Sequence, residues 1–191
     1  MTRLLALYSK VVDGLQQVAP IVLPSLARLV FAATLLTYYL NSGWQKLGDG
    51  FAGFFQPSAS AYVTIFPRAF EAVGYDASQF GAFHWAVALA GTWAELLLPV
   101  LIVIGLFTRL AALGMMGFVV VQSWVDIVGH GLAAADIGSW FDRLPSAAIL
   151  DQRAFWMFVL IYLVFRGGGP ISVDRILGAR QAGHSMSEAR T

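Results

Sequence analysis

Two charged side chains fall inside long apolar runs. Glu95 lies within Trp85–Phe107 and Arg28 within Ile21–Leu40. A carboxylate or guanidinium at bilayer depth costs roughly 2.5–3.5 kcal/mol on insertion scales, so it persists only where it is paired, hydrated or used. Desolvation pushes such a carboxyl toward its neutral form, and a nearby cation pulls it back. At about 1.5 Å rise per residue, Glu95 lies roughly 18 Å along its helix from Phe83, close to the middle of a hydrocarbon layer about 30 Å thick. Arg28, some 10 Å beyond Ile21 on an antiparallel helix, is the expected counter-charge. Two chemistries follow. One is an ion pair that locks a bundle. The other is a proton-bearing carboxylate, or a polar anchor for a ligand head group.

A second set falls near the opposite membrane face. His84 opens one apolar run, Asp126 and His130 close another, and Trp44, Gln45 and Lys46 follow a third. Asp126 and His130 are four apart, which places them on one face of an α-helix. His84, Asp126 and His130 are candidate metal ligands. The same histidines with Lys46 could instead donate to quinone carbonyls, or simply be wetted at the interface. Arg109, in the two-residue link Thr108-Arg109, is expected to meet lipid phosphate or helix-end carbonyls. No nucleophile elbow, zinc-protease motif or nucleotide fingerprint is present. The triple glycine at 167–169 lacks the Lys-Ser/Thr pair of a phosphate loop.

The elements that position these residues are membrane spans. The chain of 191 residues is 58% hydrophobic and only 12% charged, with mean hydropathy +0.70. Ordinary soluble domains carry about 25% charged residues. Ile21–Leu40, Phe83–Phe107 and Leu110–Val128 each meet the requirement of about 20 apolar residues. Ala154–Phe165 is too short alone and needs Ile149–Arg153 in the same helix, with Asp151 and Arg153 snorkelling. Gly114 and Gly117 should let a neighbouring helix approach. The expected fold is therefore all-α, an integral membrane four-helix bundle over residues 21–178.

Residues 1–20 differ. Leu4, Leu7, Tyr8, Val11, Leu15 and Val18 recur at steps of three and four among charged and amide residues. This is the pattern of an amphipathic helix lying on a membrane surface. The links at about 43–82 and 129–150 are long and aromatic, and are expected to fold back as two extracytoplasmic capping loops. Residues 179–191 form a polar tail, expected to be disordered. The bias of Arg3, Lys10, Arg109, Arg166, Arg175, Arg180 and Arg190 to one side, against acids on the other, predicts cytoplasmic N and C termini.

The net charge of +1 offers no basic face for nucleic acid. The absence of cysteine removes thiol exchange, iron–sulfur ligation and thiolate nucleophiles.

Five segments, in order and spacing, resemble the DoxX family of small four-helix bacterial membrane proteins. They are Ser42-Gly43-Trp44-Gln45-Lys46-Leu47; Glu95 followed by Leu-Leu-Leu-Pro; Gly105-Leu106-Phe107-Thr108-Arg109-Leu110-Ala111-Ala112-Leu113; His130-Gly131; and Gly169-Pro170-Ile171-Ser172-Val173-Asp174. Glu95, Arg109 and His130 match polar positions of that family, and Arg28 matches an arginine early in its first span. The resemblance implies a subunit of an oxidoreductase-type complex in a bacterial inner membrane, touching the quinone pool or a redox partner protein. Alternatives are a non-catalytic scaffold or assembly factor, and a small proton-coupled transporter. Expected partners are membrane lipid and a protein of the complex, or a second copy of this chain. Quinone is the one candidate cofactor, and no thiol, iron–sulfur or nucleotide site is expected.

Overall fold

The computed structural model describes residues 2–179. They include the α-helices α1 Thr2–Phe31, α2 Thr37–Lys46, α3 Ala59–Ile65, α4 Pro67–Ala72, α5 Ala82–Ile104, α6 Thr108–Trp124, α7 Ala134–Ile137 and α8 Arg153–Arg166, and residues 173–179 are helical as well. Helices long and apolar enough to cross a membrane cover Arg3–Lys46, Ala82–Ile104, Thr108–Gly129 and Ala148–Arg166. These are the four spans expected from the sequence. Large apolar side chains such as Leu110, Phe155 and Phe165 remain exposed on their outer surfaces, where lipid replaces water.

The core is a single layer of contacts between the spans. Phe31, Leu35 and Tyr39 from the first meet Ile102 of α5, Ala112, Met115 and Val119 of α6, and Leu160 and Leu163 of α8. Small residues on α6 let the bulky ones interdigitate.

Three turns inside the spans are π-helical: Ala32–Leu36, Val125–Gly129 and Ala148–Gln152. The first is inserted within a helix and re-aims the residues beyond it, the second closes the helix that begins with α6, and the third opens the one that continues as α8. The first joins α1 to α2 without a break, giving one helix over Arg3–Lys46. At about 1.5 Å per residue this helix exceeds the hydrocarbon thickness roughly twofold. Residues 3–17, apart from partly covered Val12, are exposed on all sides. No break in the helix marks the expected boundary at residue 20, and Pro20 and Pro24 lie inside it.

α2 ends beside the middle of α5. A Cβ at Gly43 would lie 2.9 Å from the Leu96 side chain and 3.2 Å from Glu95 Cβ, so a larger residue would have to push Leu96 aside. Beyond Lys46 the chain turns back, and the first half of α5 is covered by the loop instead. Ala61, Tyr62 and Phe70 form a second small core with Ala88 of α5. The non-helical backbone there is satisfied within the protein, as membrane depth requires. Ser58 donates its N–H to Lys46 O and its hydroxyl to Gln45 O. Trp85 and Trp93 donate to the Phe55 and Phe54 carbonyls.

At the other end α5 closes on Gly105, in the left-handed conformation at φ 73°. The Gly105 and Leu106 amides return to Leu101 O, the pattern that lets a helix stop in one residue. The link from α5 to α6 is thus three residues long. The polar tail lies outside the described residues except for its first residue, Ala179, which is helical.

Candidate functional site

A cavity of about 480 Å³ opens between α2, α5 and α6, with the Ile65 end of α3 at its edge. Its space comes from small residues: Ala90, Gly91 and Ala94 on α5, Gly114 and Gly117 on α6. Gly114 packs against Leu98 as expected, but no atom lies within 4 Å of a Cβ built at Gly117. That glycine opens the cavity rather than seating a helix.

Polar groups converge on this apolar chamber. Glu95 is 5% exposed and Lys46 is 3% exposed. The Lys46 ammonium donates to Glu95 Oε1 at 2.8 Å, to Glu95 Oε2 at 2.7 Å and to Ser42 Oγ at 2.7 Å. All three ammonium hydrogens are used. On the facing wall, Gln122 accepts from Tyr39 Oη at 3.3 Å, and its amide donates to Tyr38 Oη at 3.0 Å. Further along, Asp126 accepts from Arg153, which also donates to Ser123 Oγ at 2.9 Å. Both ion pairs are internally neutral, so the chamber combines strong dipoles with little net charge.

The expected partnership of Glu95 with Arg28 is therefore corrected. Arg28 lies at the far end of α5, where its guanidinium donates to the carbonyls of Ile102 (3.0 Å) and Val103. Those carbonyls form the negative end of the helix dipole. The same guanidinium reaches Gly168 O at 2.9 Å and Ile171 O. Arg28 is thus a clamp joining the first span, the end of the second and the segment after the fourth. Lys46 takes Glu95 because α2 stops at mid-depth instead of at the rim.

The outer set does not assemble as expected. His84 stacks on Phe80, with ring centroids 4.2 Å apart, and meets Phe66 edge-on. His130 Nε2 lies 3.0 Å from Thr64 O. The π-turn Val125–Gly129 breaks the four-residue spacing, so Asp126 turns to Arg153 while His130 faces the loop. Among the described residues no group of three His, Cys, Asp or Glu side chains is placed to hold a metal ion. Trp44 is exposed at the loop surface. Arg153 is buried in its ion pair rather than snorkelling. Asp151 instead accepts the Ala147 N–H that opens the fourth span. Arg109 is exposed at the hairpin end, remote from Glu95 in the fold.

Reading the sequence missed Lys46, Gln122, Tyr38, Tyr39 and Arg153 as a set, and also Asp174. The Asp174 carboxylate accepts the Phe107 N–H at 2.6 Å, the Thr108 N–H at 2.9 Å and the Thr108 hydroxyl at 2.7 Å. It caps α6 from 66 residues away. One signal was present for Lys46: Ser42, Gly43 and Lys46 share a helix face by spacing, and a glycine on that face marks a close approach.

Comparison with curated proteins and with solved structures returns no match. The DoxX family model matches residues 23–126, which carry Arg28, Lys46, Glu95, Gln122 and Asp126. That is more than half of the 191 residues, and the chain belongs to the DoxX family.

Proposed function

We infer that this protein is a membrane subunit of an oxidoreductase-type complex, and that its chamber receives the head group of a quinone. The observation that carries this reading is the chamber itself. Its volume falls within the usual 300–1,000 Å³ of small-molecule sites, which pair apolar walls with a few placed polar groups. Quinone carbonyls need donors: the Tyr38 hydroxyl accepts from Gln122 and keeps its own hydrogen, and the Gln122 amide has a second one, while Lys46 is held by Glu95 and Ser42. Reduction to quinol consumes two electrons and two protons. Glu95 and Asp126 are the carboxylates that line the chamber, and they are the groups this reading assigns to accept hydrogen bonds from the quinol hydroxyls. The electrons come from a partner protein, since the chain carries no thiol and no flavin or nucleotide motif.

The same reading places the protein in a bacterial inner membrane with both termini cytoplasmic. Arg109, Arg166 and Arg175 gather at the hairpin end, and basic residues favour the cytoplasmic side. A fluorescent protein fused to the C-terminus should then fold and glow; a periplasm-only reporter there should stay silent.

The site is tested on full-length protein extracted in mild detergent. Quinone should co-purify and be lost in Glu95→Gln and Gln122→Ala. Protein free of quinone, with quinone-dependent membrane activity unchanged in both variants, would remove this reading. A scaffold role is favoured by one separate observation, the exposed amphipathic stretch of α1. It would be supported by capture of a partner that survives loss of quinone.

A further inference from the structure

At the hairpin end lies a second open cavity of about 590 Å³, between the α5–α6 turn and the glycine run after α8. Three arginines line it, each from a different segment: Arg109 at the start of α6, Arg166 at the end of α8, and Arg175 beyond the glycines. Among the described residues the ion pairs are Lys46–Glu95 and Arg153–Asp126, so none of these three guanidinium groups has a carboxylate partner there. Asp174 is the acid on the lining, and its oxygens are engaged by the Phe107 and Thr108 donors. The cavity therefore carries an excess of positive charge.

The surrounding backbone is arranged to leave that charge available. The Arg109 side chain lies against Gly167, where a Cβ would stand 3.4 Å from Arg109 Nε. The Gly168 and Ile171 carbonyls are both bound by Arg28, so these acceptors are occupied. Guanidinium forks match the oxygens of a phosphate in pairs.

The rim identifies the source of the phosphate. Ile21, Phe107 and Leu110 line the same cavity and are 55%, 61% and 69% exposed. A free phosphate ion has no use for an apolar rim at the level where the spans end. A phospholipid does, because its acyl chains continue into the hydrocarbon. Basic pockets between membrane helices are suited to anionic head groups. We propose that this cavity is a binding site for the phosphate head group of an anionic phospholipid, with the acyl chains lying along Ile21, Phe107 and Leu110. The proposal is independent of what the Glu95 chamber holds.

Native mass spectrometry of the full chain, titrated with phosphatidylglycerol and phosphatidylcholine of matched chains, tests it. Phosphatidylglycerol should be retained about tenfold more than phosphatidylcholine. The preference should vanish in Arg109→Gln/Arg166→Gln/Arg175→Gln and persist in Arg143→Gln, an exposed arginine in a distant loop. If the triple variant elutes as aggregate, Arg109→Gln alone should show a reduced preference. Equal retention of the two lipids overturns the proposal, as does full retention in every arginine variant that folds. Inorganic phosphate bound in the absence of any phosphatidylglycerol preference would also overturn it, by assigning the site to a free ion.

Discussion

The Lys46–Glu95 pair sets the energetics of the chamber. Two charges removed from water repay their desolvation only with close geometry and further hydrogen bonds. Here the ammonium is fully used by both Glu95 oxygens and by Ser42. Removing one partner leaves the other buried and unpaired, at a cost of about 3–5 kcal/mol. Lys46→Met should therefore lower thermal stability sharply, and Glu95→Gln substantially. The double variant should recover most of the loss, because no charge is then stranded. A double variant no better than the worse single one would show that the pair has a role other than mutual neutralisation. At the hairpin end, burial alone would raise Asp174. The Thr108 and Phe107 hydrogen bonds and the Arg28 charge outweigh that, so its carboxyl is held below the ordinary range. A depressed carboxyl stabilises the fold above its unfolded value of 3.8, and that contribution is lost as pH falls through the folded value. Asp174→Asn should cost about 1 kcal/mol at neutral pH, as loss of a helix cap does. Melting curves of the two proteins should begin to approach one another as pH falls below about 4 and merge only below the folded value of Asp174.

The spans were legible because apolar length needs no three-dimensional information. So was Glu95, since a carboxylate flanked by Leu, Ala and Trp stands out on composition alone. Its partner was not legible. Lys46 reads as a rim residue when a helix is assumed to end at the membrane surface, and here the loop folds back beside α5 instead. The π-turns are equally invisible to a 3.6-residue period. Yet they decide that Tyr38 and Tyr39 meet Gln122, that Asp126 meets Arg153, and that His130 does not join Asp126. Asp174 was hidden for another reason: its contacts cross 66 residues, and a polar residue after a Gly-Pro turn looks like solvent-facing loop. Deletions put the element argument to the test. Five residues in the wide turn Ala32–Leu36 sweep about the same angle as four in an α-helix, so deleting Ala33 restores an α ladder and leaves Lys46 facing Glu95. Stability should then fall by only about 1 kcal/mol. Deleting the exposed Asn41 from α2 has no wide turn to absorb it and rotates Lys46 by about 100°. Lys46 then leaves Glu95, and stability should fall by about 3 kcal/mol or more. Equal losses from the two deletions would mean that the wide turn does not set the register of α2.

At the scale of the whole molecule, the two polar centres sit at different depths and share no side chain. The chamber gathers residues from α2, α5 and α6, with Arg153 of α8 behind Asp126. The hairpin end is tied by Arg28 and Asp174. The first part of α1 belongs to neither. Its residues pack against nothing described in the chain, and Leu4, Leu7 and Leu15 are each more than 60% exposed. A helix with one apolar stripe must bury it, and in a membrane protein the nearest apolar phase is the bilayer. Pro20 removes a backbone N–H and crowds the carbonyl four residues back, as does Pro24, which makes this stretch the natural place for α1 to bend. A protein lacking residues 2–19 should keep the thermal stability of the bundle to within about 0.5 kcal/mol, since no core contact is lost. A peptide of residues 1–20 should bind vesicles and become helical on them, whereas Leu7→Gln/Leu15→Gln should stay in solution. A large loss of stability in the shortened protein would place this helix against a protein surface instead, with a concentration-dependent melting point as the sign of a second copy.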